Sequence, residues 1–94
     1  MSNSILINTD KVTTSNMTMY EYTRLLIARS LQLRVGAPPK IEWKGNFDPI
    51  LIAKEEIRLR VVPLSIERRI PDNKSPLGYR VEMWDPIDMD ISDF

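Results

Sequence analysis

The sequence predicts an α+β fold in which two main helices are followed by a small antiparallel β-hairpin. Two segments begin with residues that are typical of helix starts, one at Thr18 and one at Asp48. Further along, two segments alternate between apolar and polar residues, as strands with one buried face do. Residues 71–78 are rich in turn formers and predict a long loop between those strands. With 94 residues, the chain has the size of one domain.

The first helix has signals at both ends. Thr18 and Glu21 are spaced as a Thr-x-x-Glu capping box, in which each side chain accepts a hydrogen bond from the other residue's backbone N–H. Gly36 suits the left-handed conformation that often follows a helix, and the two prolines shortly after it prevent the helix from continuing. These signals predict a helix from Met19 to Val35.

Apolar residues surround nearly the whole circumference of this helix at 100° per residue. Such a helix favours burial on nearly all sides, and one short helix and a hairpin offer little surface to cover it. We therefore expect a partner protein; the alternative is that the fold wraps the helix by itself. The apolar positions are Met19, Tyr20, Leu25, Leu26, Ile27, Ala28, Leu31, Leu33 and Val35.

The second helix is predicted from Pro49 to about Arg60. Asp48 is the expected N-cap, and proline is well suited to the first helical position. Glu56 and Arg60 are four residues apart, in the order that favours an ion pair on a helix surface. Glu55 and Glu56 are adjacent and diverge by about 100°, so they cannot converge on one substrate atom, and we interpret both as part of a solvated face.

Strands are predicted at 62–70 and 79–84, where apolar residues alternate with polar or charged ones. The proline at position 63 places the start of the first strand at a sheet edge. Residues 40–45 are predicted to form a short strand or an extended loop. The two long strands are expected to pair as the hairpin.

Composition along the chain predicts a central domain at 17–84 between two tails. The N-terminal tail, residues 1–16, is mostly polar, and its Ile5-Leu6-Ile7 run forms either an edge strand or part of a loose tail. The C-terminal tail, residues 85–94, interleaves aspartates with apolar residues. This tail either docks on another surface or remains solvated.

Composition also excludes several classes of function. Lysine plus arginine equals aspartate plus glutamate at 13 each, so the chain lacks the basic excess expected of a protein that binds nucleic-acid phosphates. The absence of cysteine and histidine excludes disulfides, zinc fingers, thiol nucleophiles and imidazole bases. No motif marks a catalytic pair of carboxylates, a calcium loop or a glycine-rich phosphate loop either, so we expect no catalytic residue, no cofactor and no metal. No leader sequence and no apolar run of about 20 residues is visible, so we expect an intracellular protein without membrane contact.

Arginine is the dominant cation and leaves two alternatives open. Arg24 and Arg29 interrupt the apolar first helix, so each is expected to pair with a carboxylate or carbonyl group, unless its long side chain reaches water. Four other arginines favour a different function, that of a free-standing regulator that binds nucleic acid; they are Arg58, Arg60, Arg68 and Arg69.

Three blocks of residues together resemble one protein family. In the first block the matching positions are Thr18, Tyr20, Glu21, Arg24, Arg29, Leu31, Gln32, Ala37 and Pro38. The second block is 48–57 and the third is 63–72, and all three occur in the family's order and spacing. The family that they resemble is the small subunit shared by the eukaryotic nuclear RNA polymerases, equivalent to archaeal subunit K and bacterial omega.

The resemblance implies an omega-like fold and a non-catalytic subunit that assembles and stabilises a DNA-directed RNA polymerase by latching its largest subunit. The implied partners are the largest subunit and other polymerase subunits, with DNA contacted only through the complex and no small-molecule substrate. No catalytic residue is carried over, because the active-site magnesium belongs to the large subunits. The source organism stays open, so the expected location is the nucleus for a cellular eukaryote, and the cytoplasm or virion for an archaeal or viral protein.

Ten residues are expected to bind the partner. Five apolar residues are expected to share their contacts between the core and the interface. Four polar or charged residues are expected to fix the register of the partner on the helix, and one tyrosine is also included. These residues are Leu26, Ile27, Leu31, Ile50 and Ile57; Glu21, Arg24, Arg29 and Gln32; and Tyr20.

Overall fold

A computed structural model of the protein describes residues 13–91, and the Ile5-Leu6-Ile7 run lies outside this range. The described part has two helices and two small sheets, which confirms the predicted α+β class. In chain order the elements are β1 (Asn16–Met17), α1 (Met19–Arg34), α2 (Pro49–Arg58), β2 (Ile66–Pro71), β3 (Tyr79–Trp84), a 3-10 turn (Pro86–Asp88) and β4 (Asp90–Ile91). Within residues 13–91, neither helix is long and apolar enough to cross a membrane.

Helix α1 begins and ends where its sequence signals predict, to within one residue. The Thr18 hydroxyl accepts a hydrogen bond from the Glu21 amide at 3.0 Å, and the Glu21 carboxylate accepts one from the Thr18 amide at 3.0 Å. The helix ends at Arg34 rather than Val35. Gly36 follows with a φ of 112°, a conformation that side chains disfavour, and this confirms its predicted role.

Helix α2 is capped as predicted but ends two residues earlier. The Asp48 carboxylate accepts hydrogen bonds from the amides of Ile50 and Leu51 at 3.1 and 3.3 Å. The helix ends at Arg58 because Arg60 adopts a left-handed φ of 60°, which turns the chain away from the helix axis. Residues 40–45 form a loop rather than a strand.

Strands β2 and β3 pair as the predicted antiparallel hairpin, with Ile66 opposite Trp84 and Pro71 opposite Tyr79. The first strand starts at Ile66, whereas the sequence alternation predicted a start at 62. Residues before Ile66 have no strand to pair with, because β3 ends at Trp84 and Pro86 begins a 3-10 turn. Apolar alternation alone does not reveal where a pairing partner ends.

The two ends of the described chain meet in a second, parallel sheet. Asn16 pairs with Asp90 and Met17 with Ile91, and both Met17 and Met89 are buried. The Arg60 guanidinium donates to the Met89 carbonyl at 3.0 Å and holds this segment in place. Residues 85–91 were predicted to belong to an acidic tail. In the structure this segment packs on the chain's own core.

The core consists of two clusters that share α1 as one wall. Leu25 belongs to the first cluster and Leu33 to the second, while Leu26 packs against both. The first cluster contains Met17, Leu25, Ile57, Val62, Ile66, Trp84 and Met89, and the second contains Leu33, Ile52 and Ala53. Both clusters lie on one side of α1, so the opposite side of the helix is left uncovered.

Candidate partner-binding surface

The uncovered side of α1 carries a row of large apolar side chains. Tyr20, Ile27 and Leu31 are 67%, 54% and 52% exposed. At 100° per residue the three lie within about 40° of each other around the helix, so they form one stripe. We call these three residues the α1 ridge. Its exposure agrees with the expectation that this fold alone does not cover the helix.

A groove separates the ridge from α2. This α1–α2 groove encloses about 260 Å³ and is mainly apolar. Its lining residues are Leu26, Ile27, Ser30, Leu31, Arg34 and Ile50. Four of the ten predicted binding residues are therefore brought together here, although they are spread over 25 positions of the sequence (26 to 50).

A second, larger groove lies on the other side of the ridge, between α1 and the start of β2. This α1–β2 groove encloses about 710 Å³. Its lining residues are Tyr20, Glu21, Arg24, Leu25, Ala28, Leu64, Ser65, Ile66, Glu67 and Arg69. Three further predicted residues, Tyr20, Glu21 and Arg24, line it. The ridge and its two flanking grooves form one continuous surface that a partner segment can cover.

Arg29 points away from this surface into the interior and is 2% exposed. Its guanidinium donates two hydrogen bonds to Glu56, from Nε at 2.5 Å and from Nη2 at 3.0 Å. It also donates to the Pro38 carbonyl and to Gln32, and Glu56 accepts a further bond from the Lys40 amide at 2.8 Å. The expectation that Arg29 finds an acidic partner is confirmed, and the pair ties α1 to α2 and to the loop after α1.

The interpretation of Glu56 as a solvated residue paired with Arg60 is wrong. Glu56 is fully buried, because the inward side of α2 repeats at positions 52, 53, 56 and 57. Arg60 lies beyond the helix end and contacts Met89 instead. Glu55 is the residue on the outer side, where its carboxylate pairs with Arg58.

Glu21 forms a second, more superficial ion pair. Arg68 of β2 donates to both Glu21 carboxylate oxygens at 2.7 and 2.8 Å, and this pairing lowers the pKa of Glu21 below its ordinary value of 4.5. Arg68 also donates to the carbonyls of Thr14 and Asn16. This arginine therefore joins β2, the first turn of α1 and the segment that leads into β1.

Sequence reasoning did not single out Arg68 for this role. A signal was present, since Arg68 stands between Ile66 and Ile70 in the strand alternation and therefore on the inward face. A charged residue on an inward face requires an opposite charge, and Glu21 supplies it.

The other predicted binding residues divide between surface and interior. Arg24 is exposed, and its guanidinium donates to the Tyr20 hydroxyl at 3.0 Å. Of the two alternatives for this residue, an acidic or carbonyl partner and a side chain that reaches water, the structure shows the second. Ile57 is fully buried in the first core cluster. Gln32 is half-buried and accepts from Arg29 at 3.0 Å. Contact of any of the ten residues with a partner stays a prediction.

The four arginines behind the alternative function do not form a free basic patch. Arg58 pairs with Glu55, Arg68 pairs with Glu21, Arg60 donates to a backbone carbonyl, and Arg69 lies 3.8 Å from Glu67 and over the Tyr79 ring. This arrangement does not favour binding of nucleic acid by the isolated chain. Among residues 13–91 there is also no cluster of three or more acidic side chains that could hold a metal ion.

The sequence model of the RNA polymerase Rpb6 family matches residues 11–64, which include α1, α2 and the whole α1–α2 groove. This match covers more than half of the chain. The chain therefore belongs to the RNA polymerase Rpb6 family, the shared small subunits that the sequence resemblance indicated.

Individual relatives agree with this membership. The chain is 38% identical over 85 residues, 90% of its length and 57% of the relative's, to the probable DNA-directed RNA polymerases I, II, and III subunit RPABC2 of Caenorhabditis briggsae. It is 40% identical over 63 residues, 67% of its length and 44% of the relative's, to the Schizosaccharomyces pombe subunit of the same name. It is 43% identical over 60 residues, 64% of its length and 42% of the relative's, to the DNA-directed RNA polymerases II and V subunit 6B of Arabidopsis thaliana. The chain thus spans about half the length of the curated relatives it matches.

Proposed function

We propose that the protein is a non-catalytic subunit of a DNA-directed RNA polymerase and that it latches the largest subunit through the α1 ridge and its two grooves. Family membership and the relatives' names support the assignment to a polymerase. The relatives are subunits of the eukaryotic polymerases I, II and III, which supports a nuclear location. The observation that carries the proposal is the exposed α1 ridge on a helix whose other side packs into both core clusters.

The energetic basis of such a latch is burial of the ridge. Each half-exposed large side chain that a partner covers adds roughly 1 kcal/mol of favourable free energy from the hydrophobic effect. Tyr20, Ile27 and Leu31 act together because they lie on one rigid helix. A flexible segment of the large subunit that binds there loses conformational freedom, so fewer states compete with the assembled enzyme.

Rigidity of α1 lowers the cost of binding, because a surface that is already ordered loses little entropy when the partner arrives. The buried Arg29–Glu56 pair fixes α1 against α2, and the Glu21–Arg68 pair fixes its first turn against β2. The first pair lies on the inner side of α1, whereas Glu21 of the second pair borders the α1–β2 groove. We therefore assign Arg29, Glu56 and Arg68 to positioning the helix.

Site-specific cross-linking tests this proposal. A photoreactive amino acid is placed at Ile27 on the ridge, or at Leu77 in the hairpin loop as a control, since Leu77 is 73% exposed and lines neither groove. The tagged protein is incorporated into the polymerase of its source organism and irradiated. We expect position 27 to cross-link to the largest subunit and position 77 not to do so. Incorporation without any cross-link from position 27 to the largest subunit contradicts the proposal.

A further inference from the structure

The exposed side of α1 carries positive charge that nothing within the described chain neutralises. Arg29 is buried in an ion pair and Glu21 is paired with Arg68, so neither contributes free charge to the surface. Arg24 and Arg34 are exposed, and within residues 13–91 neither has a carboxylate within salt-bridge distance. The side of α1 that bears the apolar ridge is therefore cationic.

These two arginines lie on opposite sides of the α1 ridge. Arg34 lines the α1–α2 groove and is the charged residue in an otherwise apolar or uncharged lining. Arg24 lines the α1–β2 groove, where Glu67 and Arg69 lie 3.8 Å apart and offset each other. Ten residues separate Arg24 from Arg34, which corresponds to about 15 Å along the helix axis.

Covering the ridge places a strict demand on the charge of the partner. A segment that lies over Ile27 and Leu31 removes water from the arginines on either side. A guanidinium that loses its water without gaining an acidic partner is strongly unfavourable, whereas a carboxylate binds it with two parallel hydrogen bonds. An apolar segment without acidic residues is therefore a poor ligand for this surface.

From these contacts we infer that the segment latched by the α1 ridge is acidic as well as apolar, with carboxylates about 15 Å apart that pair with Arg24 in one groove and Arg34 in the other. The inference rests on the proposed function and specifies the chemistry of the partner. A nucleic acid also carries negative charge, but its phosphate backbone offers no apolar surface to cover Ile27 and Leu31. The combination of charge and ridge favours a protein segment.

Charge reversal tests the inference. Arg24→Glu and Arg34→Glu are compared with Lys74→Glu, which makes the same change of charge at an exposed position in the hairpin loop. The dissociation constant for polymerase that lacks this subunit is measured at about 0.05 M and about 0.5 M salt. We expect each arginine reversal to weaken binding at least roughly tenfold at low salt, and Lys74→Glu to change it by less than about twofold. We expect Arg24→Lys and Arg34→Lys, which keep the charge but lose the paired hydrogen bonds, to weaken binding less than the reversals do.

Two results overturn the inference. In the first, the arginine reversals bind as Lys74→Glu does while Leu31→Asp abolishes binding. This result would support the α1 ridge as the binding surface but show that the bound segment does not pair acidic residues with Arg24 and Arg34. In the second, the reversals leave polymerase binding unchanged and instead abolish binding of an oligonucleotide probe, which identifies the surface as a nucleic-acid contact. If Leu31→Asp also binds normally, the proposed function itself fails, and the inference fails with it.

Discussion

Arg29 and Glu56 place two opposite charges in the interior of a small domain. Removing charges from water is costly, so such a pair adds little net stability even with ideal geometry, yet loss of one partner leaves the other charge buried and unpaired. The pair also uses its remaining hydrogen-bonding groups on Gln32, the Pro38 carbonyl and the Lys40 amide. It therefore specifies how α1, α2 and the loop between them fit together.

Glu56→Gln should lower the free energy of unfolding by about 3 kcal/mol, because Arg29 then remains charged and buried without a counter-charge. Urea denaturation of the purified protein measures this change. Glu55→Gln is the matched control, since it alters the neighbouring exposed residue and should have little effect. The double change Arg29→Met with Glu56→Leu should recover much of the loss, and equal stability of the Glu56→Gln and Glu55→Gln variants would show that the buried pair is unimportant.

The Glu21–Arg68 pair should make the stability of the fold depend on pH in the acidic range. Because Arg68 lowers the pKa of Glu21 in the folded state, the ionised carboxylate stabilises the fold above the ordinary value of 4.5. This stabilisation is lost as the pH falls from about 4.5 through the lowered folded-state pKa. Glu21→Gln should therefore flatten the decline of thermal stability below about pH 5. Measuring in about 0.5 M salt screens the exposed Glu55–Arg58 pair, and an unchanged pH profile in Glu21→Gln would rule out this contribution.

At the scale of elements, local signals were sufficient for the helices. The Thr18–Glu21 capping box, the Asp48 cap and Gly36 act within a few residues of the chain, and each does so in the structure as the sequence predicts. The prediction that the first long strand starts at position 62 was wrong, because the extent of a strand depends on the strand it pairs with. The parallel β1–β4 pair joins residues far apart in the sequence, and no local pattern indicates it.

The same distinction applies to the candidate surface. The apolar stripe of α1 follows from helical periodicity, so Tyr20, Ile27 and Leu31 were identified from the sequence. Glu56 was assigned to the wrong face because α2 was interpreted without knowledge of which side meets α1. The role of Arg68 depends on how the hairpin packs against α1, which only the tertiary structure reveals.

The segment after β3 should contribute to stability through Met89, which is 2% exposed in the first core cluster. Met89→Ala should lower the free energy of unfolding by about 2–3 kcal/mol, since it leaves a cavity beside Met17. Ile87→Ala in the same segment is the control, because Ile87 is 65% exposed, and it should change stability by less than about 0.5 kcal/mol. Chemical denaturation of both variants makes the comparison, and similar effects of the two changes would show that the segment does not pack on the core.

At the scale of the whole molecule, the fold is asymmetric about α1. One side of the helix packs into both core clusters, while the opposite side exposes the α1 ridge between two grooves. The buried Arg29–Glu56 pair holds the inner side of the helix and the Glu21–Arg68 pair holds its first turn, so the ridge is presented on a rigid support. This asymmetry suits the proposed role, in which a stably folded chain leaves one helix side free for a larger partner.

The most direct test is the affinity of Leu31→Asp for polymerase that lacks this subunit. Leu31 is 52% exposed, so the fold should be retained, and the control is Leu77→Asp at a 73% exposed position outside the proposed surface. Circular dichroism checks that both variants fold. We predict that Leu31→Asp binds at least about a hundredfold more weakly than wild type, because complex formation buries the new charge against apolar surface, and that Leu77→Asp binds normally. Wild-type affinity of a folded Leu31→Asp variant would contradict the assignment of the α1 ridge as the latch.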